Sequence, residues 1–192
     1  AWFAPDAQNA LQALVARLGG AAGCLERLGL VLQTGYTASK IAWLRDTNPC
    51  AYRRIESVLL PHDYLNFWLT GEKVAEAGDA SGTGYFDTRT RRWRHDVFAE
   101  IAPELDPTRV LPRLIDSREP AGTLRPELAR ELGLSPDVVV ASGGGDNMLG
   151  AIGTGNIAPG IVTLSLGTSG TVCAYSPESV RAESDMVANF CA

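Results

Sequence analysis

Val138-Val139-Val140-Ala141-Ser142-Gly143-Gly144-Gly145-Asp146-Asn147 is the stretch whose reading decides the fold. The all-apolar run 138–141 is what a strand buried on both faces carries. Residues 142–146 form the loop at its carboxyl end, and residues 147–152 begin a helix. Ligand sites in open α/β folds lie at the carboxyl ends of strands, so this loop is a candidate site. The three glycines remove every Cβ beside Asp146, which lets a ligand approach the backbone closely. The helix that follows offers free N–H groups and its positive end, which suits a carboxylate that accepts a proton. Asn147 adds one acceptor and two donors fitted to sugar hydroxyls. The same residues also serve as a turn and a helix cap, and alone they leave both readings open.

Downstream, residues 157–160 read as a turn and 161–166 as a second strand. Gly167-Thr168-Ser169-Gly170 is a tight turn, and residues 171–175 return as the antiparallel partner. A turn of glycine and hydroxyl residues presents several N–H and O–H donors to one point, which suits a phosphate. A hairpin turn selected for geometry has the same composition.

Upstream, residues 6–18 place Leu11, Leu14, Val15 and Leu18 on one helical face, with Gly19-Gly20 at the helix end. A short helix over 21–28 follows. Thr37 is placed to cap a helix carrying Ile41, Trp43 and Leu44, and Pro49 to open another after Asn48. Residues 57–60 are a compact apolar run, read as a buried strand, and 63–69 a helix closed by Thr70-Gly71. The small residues of 78–84 predict strand and turn across 73–93. Residues 95–101 are read as helical, 106–120 as a proline-rich connection, and 126–132 as a helix ending at Gly133. Strands alternating with helices give an α/β fold.

The 192 residues suit one domain, or one domain and part of another. Hydrophobic residues at 45% and charged residues at 20% place the chain among globular proteins. Seventeen basic against 22 acidic residues give a net charge of −5, with no general attraction to nucleic acid or anionic membrane. No run approaches the roughly 20 apolar residues of a membrane span. The N-terminal residues lack the pattern of a signal peptide. Cys24, Cys50, Cys173 and Cys191 are widely spaced, and His62 and His95 are the only histidines, so no zinc motif is formed. Reduced thiols in a cytoplasmic protein are expected. His62 and His95 stand beside Asp63 and Asp96 but outside any nucleophile motif, and read as structural or surface residues.

Two elements taken together are more specific than either alone. Leu164-Ser165-Leu166-Gly167-Thr168-Ser169-Gly170-Thr171, some twenty residues after Gly-Gly-Gly-Asp-Asn, resembles the FGGY family of carbohydrate kinases. Residues 142–155 are most similar to its xylulokinase branch. The segments Gly35-Tyr36-Thr37-Ala38-Ser39-Lys40, Pro61-His62-Asp63-Tyr64-Leu65 and Asp79-Ala80-Ser81-Gly82-Thr83 agree in order and spacing, so the resemblance spans nearly the whole chain.

The resemblance implies an actin-like ATPase (ribonuclease H-like) α/β fold. Residues 1–158 would be part of the N-terminal, sugar-binding domain, and 159–192 the start of the C-terminal, nucleotide-binding domain with its first hairpin. It implies an ATP-dependent sugar kinase acting on D-xylulose to give D-xylulose 5-phosphate, with kinases of ribulose, gluconate or glycerol as alternatives, or a non-catalytic regulator that keeps the fold. Asp146 would match the catalytic base, Asp146 and Asn147 the sugar contacts, and Gly167, Thr168, Ser169 and Gly170 the turn facing the ATP phosphates. Asp79 would shape the fold near the cleft, and Tyr36 would pack in the core. The partners implied are a sugar and ATP, without nucleic acid or membrane, and with pairing into a homodimer left open. The family's Asp-x-Gly-Thr loop, which helps to place Mg2+, has no match here, nor has the adenosine pocket. The chain is therefore expected to be an internal piece, inactive alone, with the magnesium site mostly outside it.

Overall fold

The computed structural model describes residues 5–167, 170–178, 180 and 187–191. The chain opens with α1 (Pro5–Arg17) and α2 (Gly20–Leu28), joined at Gly19 and Gly20, whose φ values of 95° and 74° turn the chain between them. At Gly23 an added Cβ would fall 2.0 Å from the Leu18 carbonyl oxygen, so only glycine lets α2 sit this close to the end of α1. Next come α3 (Thr37–Thr47) and α4 (Pro49–Tyr52). Asn48 caps α4 by accepting the Ala51 N–H at 3.0 Å, with Pro49 at the first helical position as expected. Thr37 is the first residue of α3 rather than its cap, and Tyr36 precedes it.

Pro61 opens α5 (Pro61–Thr70), and Gly71 closes it with φ 88°. There follow β1 (Val74–Glu76), α6 (Ala77–Ala80), β2 (Phe86–Asp87), β3 (Arg92–Trp93), α7 (His95–Ile101), α8 (Pro107–Val110), β4 (Arg113–Ile115), β5 (Pro120–Thr123) and α9 (Pro126–Leu132). The last elements are β6 (Val139–Ala141), α10 (Asp146–Gly153), β7 (Val162–Leu166) and β8 (Gly170–Ala174). Strands β1 and β4 pair in parallel, β5 with β6 antiparallel around a bulge between Pro120 and Gly122, and β2 with β3 antiparallel. Strands β7 and β8 form the expected hairpin, in register from Val162↔Ala174 to Leu166↔Gly170.

The main core is built by the apolar faces of α1, α2, α3 and α7, where Leu14, Leu18, Cys24, Ile41, Val97, Phe98 and Ile101 are buried around Tyr85. Phe98 meets the Tyr85 ring edge-on, with centroids 5.1 Å apart. A smaller cluster of Val74, Ile115 and Ala121, with half-buried Val140 against it, holds the β1–β4 pair to the β5–β6 pair.

Four local expectations are corrected. Residues 57–60 are irregular and half-buried rather than a buried strand; the Val58 N–H, on the Val110 carbonyl at 2.8 Å, and Lys73 Nζ, on the Ser57 hydroxyl at 2.7 Å, tie them across the chain. Within 73–93 a helical turn, α6, appears because the Glu76 carboxylate accepts the N–H groups of Gly78 and Asp79. The connection 106–120 contains α8, capped by Asp106, and strand β4. Strand β6 is present, but it is paired on one edge only and is not covered on both faces, with Val139 62% exposed. The strands of the hairpin are largely exposed too.

Replacing Phe98 by Ala removes a fully buried ring from the main core and is expected to cost about 3–5 kcal/mol. Urea unfolding followed by tyrosine and tryptophan fluorescence reads this as a lower midpoint, while the exposed Leu132→Ala shifts it little.

Candidate functional site

The glycine loop is held tightly although the strand before it is exposed. Ser142, 3% exposed, leaves β6 with its carbonyl turned toward α5. That oxygen accepts from Asn66 Nδ2 at 2.7 Å and lies 2.5 Å from His62 Nε2. The Ser142 hydroxyl donates to the Ser117 carbonyl at 2.8 Å. Gly143 then takes φ 74°, and an added Cβ would fall 2.4 Å from His62 Nε2. Conformation and contact alike thus require glycine at this position. Gly145, in extended conformation, precedes α10 and gives it no side-chain cap.

Asp146 is the first residue of α10 and is exposed, and its Oδ1 accepts the N–H of Asn147 at 2.8 Å. One of its oxygens thus meets a free N–H of the first turn, while the carboxylate stays exposed. Asp146 and Asn147 line a cleft of about 240 Å³ with Gly150 and Ala151 of α10, Thr154 just after it, and Thr163, Ser165, Thr171 and Cys173 of the hairpin. The hairpin is tethered to α10 by Thr154 Oγ1 and Thr163 Oγ1, 3.1 Å apart, and by Asn156 Nδ2 donating to the Cys173 carbonyl at 2.9 Å. A second cleft, of about 210 Å³, lies against the glycine loop itself and is lined also by Glu76, Gly78, Ser117 and Leu149. Of the predicted phosphate turn, Gly167 and Gly170 bracket the tip of the hairpin, and Thr168 and Ser169 lie outside the described residues.

His62, read as an ordinary structural or surface residue, packs against the glycine loop. Its Nδ1 lies 3.4 Å from Asp63 Oδ1 and 3.4 Å from Asp79 Oδ2. The two carboxylates raise its pKa from 6.5 to about 10, and burial opposes them. Asp63 is buried, which pushes its carboxyl up, while His62 and the Leu60 N–H pull it down. The arrangement is an imidazolium between two carboxylates. Asp79 is brought to it by α6, and so by the buried Glu76 carboxylate that caps that helix. The sequence offered only the adjacent His62-Asp63 pair as a signal. Ser142 is 80 residues away and became a neighbour only through folding.

The donor atoms of His62, Asp63 and Asp79 lie within 4.8 Å of one another, the one group of metal-ligating type among the described residues. A protonated Nδ1 has no lone pair for a metal, and Mg2+ takes oxygen ligands, so this cluster does not fit that ion. Tyr36 packs against the main core, as expected, and burial raises its pKa. His95 is an exposed residue at the start of α7. Among the described residues no helix is long and apolar enough to cross a membrane.

Residues 1–153 match the model of the FGGY family of carbohydrate kinases, N-terminal domain. A xylulose kinase of Haemophilus influenzae is 48% identical over 190 residues, which cover 99% of this chain and 38% of that protein. A xylulose kinase of Streptomyces coelicolor is 41% identical over 187 residues, covering 96% of this chain and 38% of that one. Among solved structures, the xylulose kinase from Bifidobacterium adolescentis superposes with a TM-score of 0.86 at 25% identity, over 98% of this chain and 44% of that chain. The chain thus spans about two-fifths of the length of the curated relatives it matches.

The raised pKa of His62 carries a pH signature. A histidine whose folded pKa lies above its unfolded value stabilises fully below about 6.5 and loses that contribution as pH rises through about 10. Thermal unfolding midpoints are expected to fall between pH 7 and 10 more steeply for the native sequence than for His62→Gln. Parallel profiles would show that His62 is not charged in the fold.

Proposed function

The chain belongs to the FGGY family of carbohydrate kinases and carries the actin-like α/β fold of its N-terminal domain, and from this premise we propose that the whole protein phosphorylates a sugar with ATP. The substrate we propose is D-xylulose, the product D-xylulose 5-phosphate, and Asp146 the general base. The observation that carries the reading is the place of Asp146. It is an exposed carboxylate at the first turn of α10, beyond the glycine loop, facing hydroxyl residues of a hairpin across a small cleft.

In the proposed reaction Asp146 accepts the proton of the attacking sugar hydroxyl. The hydroxyl oxygen bonds to the γ-phosphorus as the bond from that phosphorus to the β–γ bridging oxygen breaks, and ADP leaves. Asn147 holds neighbouring sugar hydroxyls. Gly167, Thr168, Ser169 and Gly170 are assigned to the nucleotide phosphates. Residues 1–158 contribute to the sugar-binding domain and 159–192 open the nucleotide-binding one, in keeping with a family match that stops at residue 153. Phosphoryl transfer is catalysed mainly by positioning and charge stabilisation, and the division of labour between a fixed loop and a donor-rich turn suits it. The divalent ion is proposed to be Mg2+, arriving with the nucleotide. The His62 cluster, with an imidazole among its three groups, does not fit that ion. The similarity to xylulose kinases at 48% and 41% identity supports the choice of sugar.

The test is Asp146→Asn and Asp146→Ala in the full-length protein, assayed by coupled ADP release with D-xylulose. Each is expected to lower kcat by at least about 10²- to 10⁴-fold, the range of a positioned base, with little change in unfolding temperature. Turnover equal to the native protein rules out the base assignment. A panel of D-xylulose, ribulose, gluconate and glycerol tests the substrate, and a higher kcat/KM for any of the last three displaces D-xylulose.

A further inference from the structure

Resting on the reading of Asp146 as the base, we propose that His62 is a positioning residue for it, acting through the backbone of Ser142 and Gly143. The Ser142 carbonyl is the last backbone group before the glycine run, and three successive glycines hold little conformation of their own. Something outside the loop must therefore fix where α10 starts. The β5–β6 ladder ends at Ala141, one residue earlier. The contacts that remain are the Ser142 hydroxyl on the Ser117 carbonyl at 2.8 Å and two from α5, His62 Nε2 at 2.5 Å and Asn66 Nδ2 at 2.7 Å from one buried carbonyl oxygen. The imidazole edge also fills the space beside the Gly143 Cα, where a Cβ would collide with it.

The groups packed around His62 explain why it keeps this orientation. From α5 come Asp63 and Asn66, from α6 comes Asp79, and from the glycine loop the Ser142 carbonyl. With Nδ1 3.4 Å from a carboxylate oxygen of Asp63 and of Asp79, charge attraction holds the ring in the setting in which Nε2–H donates to Ser142. A neutral ring would turn a lone pair either toward the carboxylates or toward the Ser142 carbonyl, according to the tautomer, so the charge on the ring and the position of the loop are coupled. Asn66, the second donor, would hold the carbonyl more loosely by itself. A displacement of about 1 Å at a reacting group costs up to about 10²-fold in rate, which sets the scale of the effect.

The experiment uses the full-length protein with D-xylulose and ATP. His62→Leu fills the space without a donor and is expected to lower kcat about 10- to 100-fold while the KM for ATP stays within about threefold. His62→Gln keeps an N–H within reach of the Ser142 carbonyl and is expected to recover most of that loss. A folded His62→Leu protein with native kcat overturns the proposal, and so does a His62→Gln protein as slow as His62→Leu at matched stability. If His62→Leu does not fold, the pH profile decides: native kcat falls as pH rises from 8 toward 10 and that of His62→Gln does not, whereas equal profiles overturn the proposal. Asp146→Asn is measured beside them. An active Asp146→Asn protein overturns the base assignment, while an inactive one beside a fully active His62→Leu overturns the positioning role alone.

Discussion

One buried carbonyl oxygen, that of Ser142, holds the site together. A buried backbone acceptor must be paired, and here it is paired by two side chains of α5 instead of by a sheet neighbour. Strand β6 is short and exposed, so sheet packing alone would leave the glycine loop poorly placed. The loop is instead fastened from beside, and the fastening reaches further back. Glu76 caps α6, α6 presents Asp79, and Asp79 with Asp63 holds the His62 ring that meets Ser142. A chain of charge and hydrogen bonding therefore links β1, α6 and α5 to the start of α10.

That linkage explains how a run of three glycines can sit beside a proposed catalytic group. Glycine opens space for a ligand but brings no rigidity, and the two needs are met by different parts of the fold. The glycine loop borders one cleft, shared with α6, and Asp146 just beyond it borders a second that faces the hairpin. The hairpin in turn is tied to α10 through Thr163 and Cys173. The donors assigned to the phosphates and the carboxylate assigned to the sugar hydroxyl are thus referenced to the same helix. For a reaction governed by alignment rather than by covalent chemistry, that common reference matters most.

Elements whose causes are local were legible in the sequence. Pro49 opens a helix, Gly71 and Gly133 close helices, and Leu14 and Leu18 lie on the buried face that their spacing predicts. The strand, loop and helix around residues 138–153 were readable for the same reason, as was the β7–β8 hairpin. Residues 57–60 misled because an apolar run specifies burial better than it specifies a pairing partner, and among the described residues no strand pairs with them. The helical turn α6 was missed because its cap is Glu76, a residue type whose capping role depends on where its long side chain is sent by the surrounding fold.

By itself, then, the sequence determined the α/β order of elements, the glycine loop with Asp146 at its end, and the family to which these belong. These depend on residues close together in the chain. Only the tertiary structure decided that His62 meets the glycine loop between two carboxylates, because its partners lie one, 17 and 80 residues away. A histidine's charge and hydrogen bonds depend on what surrounds it in space, and no local pattern records that. Folding alone brought Asp63, Asp79 and the Ser142 carbonyl to one imidazole ring.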